Sequence, residues 1–129
     1  MQRTQQIINS ILIIGLIAGI LSACTRDRET IHYFYETVCP SCEAARKMEE
    51  ISTHLLVYGR NRKDADIFVY DIYKTSGALE TFQKLLQDRK TDEHLAPPVL
   101  ITQHQVFTGI TEVEEFLKSL GILERGASE

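Results

Sequence analysis

Two thiols stand three positions apart in Thr37-Val-Cys-Pro-Ser-Cys-Glu-Ala-Ala-Arg46, after an apolar run and before a helical pattern. A C-x-x-C pair can do three kinds of chemistry: exchange of thiols with disulfides, half of a soft-metal site, or a static crosslink. A closed zinc site needs four ligands. The only histidines are His32, His54, His94 and His104, and none has finger-like spacing to the pair. A static bridge over so short a loop gains little chain entropy. Thiol-disulfide exchange is therefore the leading reading.

That chemistry proceeds through a thiolate, so the attacking cysteine needs a pKa below the free thiol's roughly 8.5. A helix start provides this. Pro40 suits a first helical position because its missing N–H has no partner there anyway, which puts Cys39 at the N-cap. Cys42 is then expected one turn in, more buried, as the thiol that resolves a mixed disulfide. Glu36 and Glu43 oppose thiolate formation, whereas Arg46 and Lys47 favour it.

The elements around the pair follow from periodicity. Ile31 to Glu36 reads as a strand, and Ala44, Met48, Ile51 and Leu55 mark a helix that Gly59 is placed to end. Asn61 to Asp66 is a charged loop, and Ile67 to Tyr73 is apolar enough for a buried parallel strand. A helix from Gly77 to Asp88, strands Val99 to Thr102 and Gln105 to Thr108 about a Gln103-His104 turn, and a last helix ending at Gly121 complete the order. Thr111 and Glu114 have the form of a capping box for that helix. The aromatic residues Tyr33, Phe34, Tyr35 and Phe68 read as core, and the tail after Glu124 as frayed. The sum is β-α-β-α-β-β-α, an α/β sandwich with a mixed four-stranded sheet between helices.

This arrangement resembles the thioredoxin superfamily, near its glutaredoxin-like core, over almost all of Ile31 to Gly121. The resemblance rests on Cys39-Pro40-Ser41-Cys42 between first strand and first helix, Pro97 before the third strand, and the Gly109 turn into the last helix. It implies that Pro97 is cis and lies against the cysteines, with the Ala96 backbone turned outward to pair with substrate. Pro40 and Ser41 are the motif's structural residues. The pattern departs from thioredoxins at Val38, where Trp is usual, and at Tyr33, which stands where a buried Asp is usual. It departs from glutathione-binding glutaredoxins at Gly109-Ile110, where two glycines are usual.

The third cysteine belongs to the N-terminus. Arg3 precedes an apolar run from Ile7 to Ile20, broken only by Asn9 and Ser10, and Leu21-Ser22-Ala23-Cys24 follows. This resembles the signal peptide and lipobox of bacterial lipoproteins, which implies cleavage after residue 23 and a diacylglyceryl group on Cys24. Thr25 to Thr30 is a short polar tether, residues 31–121 the domain, and 122–129 a tail. Such a chain would be anchored by lipid on the extracytoplasmic face of a bacterial cell membrane.

Composition fits one domain: 129 residues, 43% hydrophobic and 25% charged. The net charge of −4 contains no basic block, which argues against nucleic acid. The expected function is a monomeric, membrane-anchored thiol-disulfide oxidoreductase acting on the cysteines of exported proteins and served by a membrane or extracytoplasmic redox partner. It needs no cofactor or metal beyond its dithiol. The competing readings are a copper- or zinc-binding lipoprotein and a redox-inactive adaptor that holds partners at the Pro97 edge.

Overall fold

The computed structural model describes residues 28–92 and 94–124. The expected signal peptide, Cys24 and the tail beyond Glu124 lie outside the described residues. The elements are β1 (Glu29–Tyr35), α1 (Glu43–Asn61), β2 (Ala65–Asp71), α2 (Ala78–Asp88), β3 (Val99–Ile101), β4 (Val106–Thr108) and α3 (Gly109–Ser119). They form one mixed sheet in the order β2-β1-β3-β4. β1 and β2 run parallel, and β3 is antiparallel to both β1 and β4. This is the expected thioredoxin-like α/β sandwich.

Alternation along β1 decides what each face of the sheet packs against. Ile31 and Tyr33 point to one side, where they meet Leu100, Ile51 and Leu55 of α1, and Val113 and Leu117 of α3. Phe34 points to the other side with Val99 and Ile101, against Phe82 and Leu86 of α2. Two helices therefore cover one face and a single helix covers the other. No helix among the described residues is long and apolar enough to cross a membrane.

Several boundaries differ from the sequence expectations, each for a local reason. β1 begins at Glu29, inside the stretch read as tether, because Glu29 and Thr30 find partners in Ala65 and Asp66. β2 is an edge strand that leaves Phe68 43% exposed, since α2 covers only part of that face. α1 does not stop at Gly59 but runs to Asn61, and the missing side chain lets the helix approach β2. A Cβ on Gly59 would lie 2.9 Å from Ile67 Cγ1. α3 starts without a loop after β4. Gly109 takes φ +79°, which L side chains rarely adopt, to turn the chain into the helix. The N-cap is then Thr108, whose N–H and hydroxyl donate to the Glu112 carboxylate at 2.8 and 3.2 Å. Thr108 and Glu112 thus replace the expected Thr111–Glu114 cap.

Candidate functional site: a disulfide at the joint of strand and helix

Cys39 and Cys42 form a disulfide, with an S–S distance of 2.07 Å and Cα atoms 5.4 Å apart. The Cys42 N–H donates to the Cys39 carbonyl at 3.0 Å, which closes a turn with Pro40 at its second position. The helical ladder begins only where the Cys42 carbonyl accepts from the Arg46 N–H at 3.1 Å. The N-cap of α1 is therefore Cys42, in extended geometry, and not Cys39. Pro40 shapes the turn and does not start the helix.

A second expectation also changes: Cys42 is exposed, as are Cys39, Pro40 and Ser41. Both cysteines belong to the turn that precedes the helical ladder and not to its packed face. Among the described residues no side chain caps the start of α1. Its first N–H groups have no partner within the helix and face the sulfur end of the chain. The Ser41 hydroxyl lies 3.7 Å from Cys39 Sγ. Among the flanking charges, Lys47 pairs with Glu43 at 3.5 Å across one helical turn.

One buried carboxylate tied to the chain that enters the turn was missed in the sequence. Asp71 ends β2 and is 5% exposed. Its carboxylate accepts from the Thr37 hydroxyl at 2.6 Å and from the N–H groups of Tyr73 at 3.0 Å and Lys74 at 3.2 Å, with the Lys74 ammonium at 3.7 Å. Burial alone would raise its pKa, but these hydrogen bonds and the ammonium hold it below the ordinary carboxylate range. Thr37 is two residues before Cys39, so Asp71 fixes the approach to the motif. The only sequence signal was a lone acid at the end of an apolar strand.

Tyr33 is fully buried and donates to the Met48 carbonyl at 3.2 Å. Its pKa is pushed far up by burial and then by Tyr35 and Glu114. The cis peptide bond joins Pro97 to Pro98, one position later than expected. Consecutive prolines offer two bonds with the same small trans preference, so spacing could not choose between them. Pro98 is buried and its carbonyl accepts from the Gly109 N–H at 2.9 Å; Ala96 stays exposed and Pro97 half-buried. A cavity of about 200 Å³ beside Pro97 is lined by Glu36, Tyr73, Leu79 and Leu95 among others.

The four histidines do not come together. His32 stacks on Phe68, His54 pairs with Glu50 on α1, His94 lines the Pro97 cavity, and His104 sits in the β3–β4 turn. Among the described residues no three His, Cys, Asp or Glu side chains form a group that could hold a metal ion.

The sheet topology, with the C-x-x-C disulfide at the joint of β1 and α1, is that of a thioredoxin-like fold. No family model matches the sequence, and no curated protein matches it. Among solved structures the chain is similar to thioredoxin O2 from Arabidopsis thaliana in its oxidized state. The identity is 17%, the match covers 80% of this chain and 87% of that one, and the TM-score is 0.42.

Proposed function

We propose that this chain is a membrane-anchored, extracytoplasmic thiol-disulfide oxidoreductase that exchanges disulfides with exported proteins. The observation that carries the redox reading is the exposed Cys39–Cys42 disulfide, held on a turn at the start of α1. The lipobox-like Leu21 to Cys24 supports the anchor and the compartment.

In the reducing direction the Cys39 thiolate attacks one sulfur of a partner disulfide, and the other partner sulfur leaves as a thiolate and takes up a proton. Cys42 then loses its proton and attacks Cys39 Sγ, which releases the second partner thiol and leaves the Cys39–Cys42 disulfide. Two electrons pass to the partner. In the oxidising direction a partner thiolate opens the Cys39–Cys42 bond and the steps reverse. The Ser41 hydroxyl, 3.7 Å from Cys39 Sγ, can donate to a thiolate on Cys39, and the positive end of α1 favours negative charge beside its start.

The purified chain is expected to reduce insulin or to oxidise a reduced test protein, and Cys39→Ser to abolish that activity. An inert pair that binds Cu(I) stoichiometrically would replace this reading with the metal-binding one. The direction of electron flow follows from the reduction potential of the pair: near about −270 mV it is a reductant, near about −120 mV an oxidant.

A further inference from the structure

β1 and α1 set two poles apart. β1 carries the chain from Glu29 toward the Cys39–Cys42 turn, and α1 brings it back to Asn61. Seven strand residues rise roughly 20 Å and nineteen helical residues roughly 28 Å. The disulfide therefore lies at one end of the sheet, and Arg28 with residues 60–66 at the other.

The second pole is pinned to the point where the N-terminal segment enters the domain. The Glu29 N–H donates to the Asp64 carbonyl at 3.1 Å, and the Arg28 guanidinium donates to the Lys63 carbonyl at 3.2 Å. The Gln103 amide donates to the Arg28 carbonyl at 2.7 Å. Cys24 is four residues before Arg28, a reach of at most about 14 Å. A lipid on Cys24 would hold this pole within headgroup range.

The pole's chemistry fits that position. Arg28, Arg60, Arg62 and Lys63 are all exposed there beside the half-buried Glu29, on a chain of net charge −4. Asp66 pairs with Arg28 and Asp64 with Arg62, each through bonds of 3.0 to 3.2 Å, and Arg60 and Lys63 have no ion pair among the described residues. At the end of α2 Lys90 is exposed beside Asp88, while the half-buried Arg89 guanidinium is held by the Thr102 carbonyl. Leu56 and Phe68, 45% and 43% exposed, line a cleft of about 390 Å³ beside Arg28, Arg60 and Arg62. Cations around exposed apolar side chains match the phosphate and interfacial layers of an anionic bilayer.

We propose that this pole binds anionic phospholipid headgroups and stands the domain on the membrane with the Cys39–Cys42 disulfide directed away from it. The inference rests on the lipid-anchored reading above. Partners would then meet the disulfide from the aqueous side.

The test uses the full chain recovered from membranes and placed in vesicles of phosphatidylcholine alone or with one-quarter phosphatidylglycerol. A short pulse of amine acylation is read by mass spectrometry at Lys63 and at Lys74, which lies toward the disulfide. Lys63 is expected to react several-fold more slowly on the anionic vesicles, while Lys74 is unchanged. High salt, or Arg60→Glu with Arg62→Gln, should restore Lys63 labelling. Equal Lys63 labelling on both vesicles, protection of Lys74 instead, or protection that survives salt and substitution as it would for a protein contact, each overturns the headgroup surface. A recovered chain without acyl groups on Cys24 overturns the anchor reading itself; an unprotected Lys63 on a lipidated chain overturns the pole alone.

Discussion

The Thr37 hydroxyl donates to the Asp71 carboxylate at 2.6 Å and so joins the loop entering Cys39 to the end of β2. Thr37→Val is expected to cost about 1–3 kcal/mol, because a buried carboxylate loses a partner. It should also slow disulfide exchange about tenfold, since a displaced reacting atom reacts less often. Urea unfolding and an insulin assay measure the two effects. An unchanged exchange rate would mean that the turn is positioned by other contacts.

Asp71 also sets an acid limit. Its folded pKa lies below its ordinary value of 3.8, so the unfolded chain binds this proton first as the pH falls. The contribution to stability is complete above that ordinary value and is lost as the pH falls through the lower, folded value. Asp71→Asn should flatten the dependence of unfolding free energy on pH below about 4. A variant that keeps the wild-type slope would assign the acid lability to other groups.

The roles of the two cysteines separate by trapping. Cys42→Ser is expected to hold partner proteins as mixed disulfides on Cys39, whereas Cys39→Ser should hold few or none. Non-reducing gels followed by mass spectrometry distinguish the two outcomes. Because Cys42 is the N-cap and is also exposed, the opposite result would assign the attacking role to Cys42.

His32 is a weak point of the α2 face. Its ring stacks on Phe68 at 4.9 Å, and its buried Nδ1 has no hydrogen-bond partner among the described residues. Burial and then Arg89 lower its pKa. The neutral ring is favoured in the fold, so its contribution holds above about 6.5 and fades as the pH falls below it. His32→Phe should gain about 1 kcal/mol at pH 7 and lose less stability than the parent between pH 7 and 5. Thermal melts at the two pH values provide the check.

At Gly59 two effects compete. Alanine in a helix interior gains about 0.5–1 kcal/mol over glycine, but overpacking costs about 1–3. The new Cβ would stand 3.0 Å from Ile67 Cβ, next to the strand backbone, where it has little freedom to shift. Gly59→Ala should therefore destabilise the domain by about 1 kcal/mol, and Ile67→Ala should relieve part of that crowding in the double variant. A rise in melting temperature for the single variant would refute the tight approach.

The order of elements and the cysteine pair at the joint of β1 and α1 were legible in the sequence, because both depend on short-range pattern. Periodicity of two and of 3.6 marks strands and helices, and C-x-x-C spacing allows a disulfide within one turn. The N-cap of α1, the cap of α3 and the edge position of β2 were not legible in this way. Pro40 fits a turn as well as a helix start, and Thr108 competes with Thr111 as a cap until Gly109 sets the turn. Asp71 shows the same limit most clearly. Its partner Thr37 is 34 residues away in the chain, and only the parallel pairing of β1 with β2 brings the hydroxyl to the carboxylate. The sequence by itself determined which residues could carry the chemistry. Tertiary structure decided which cysteine caps the helix, how exposed the disulfide is and what holds its loop, because these depend on contacts between distant segments.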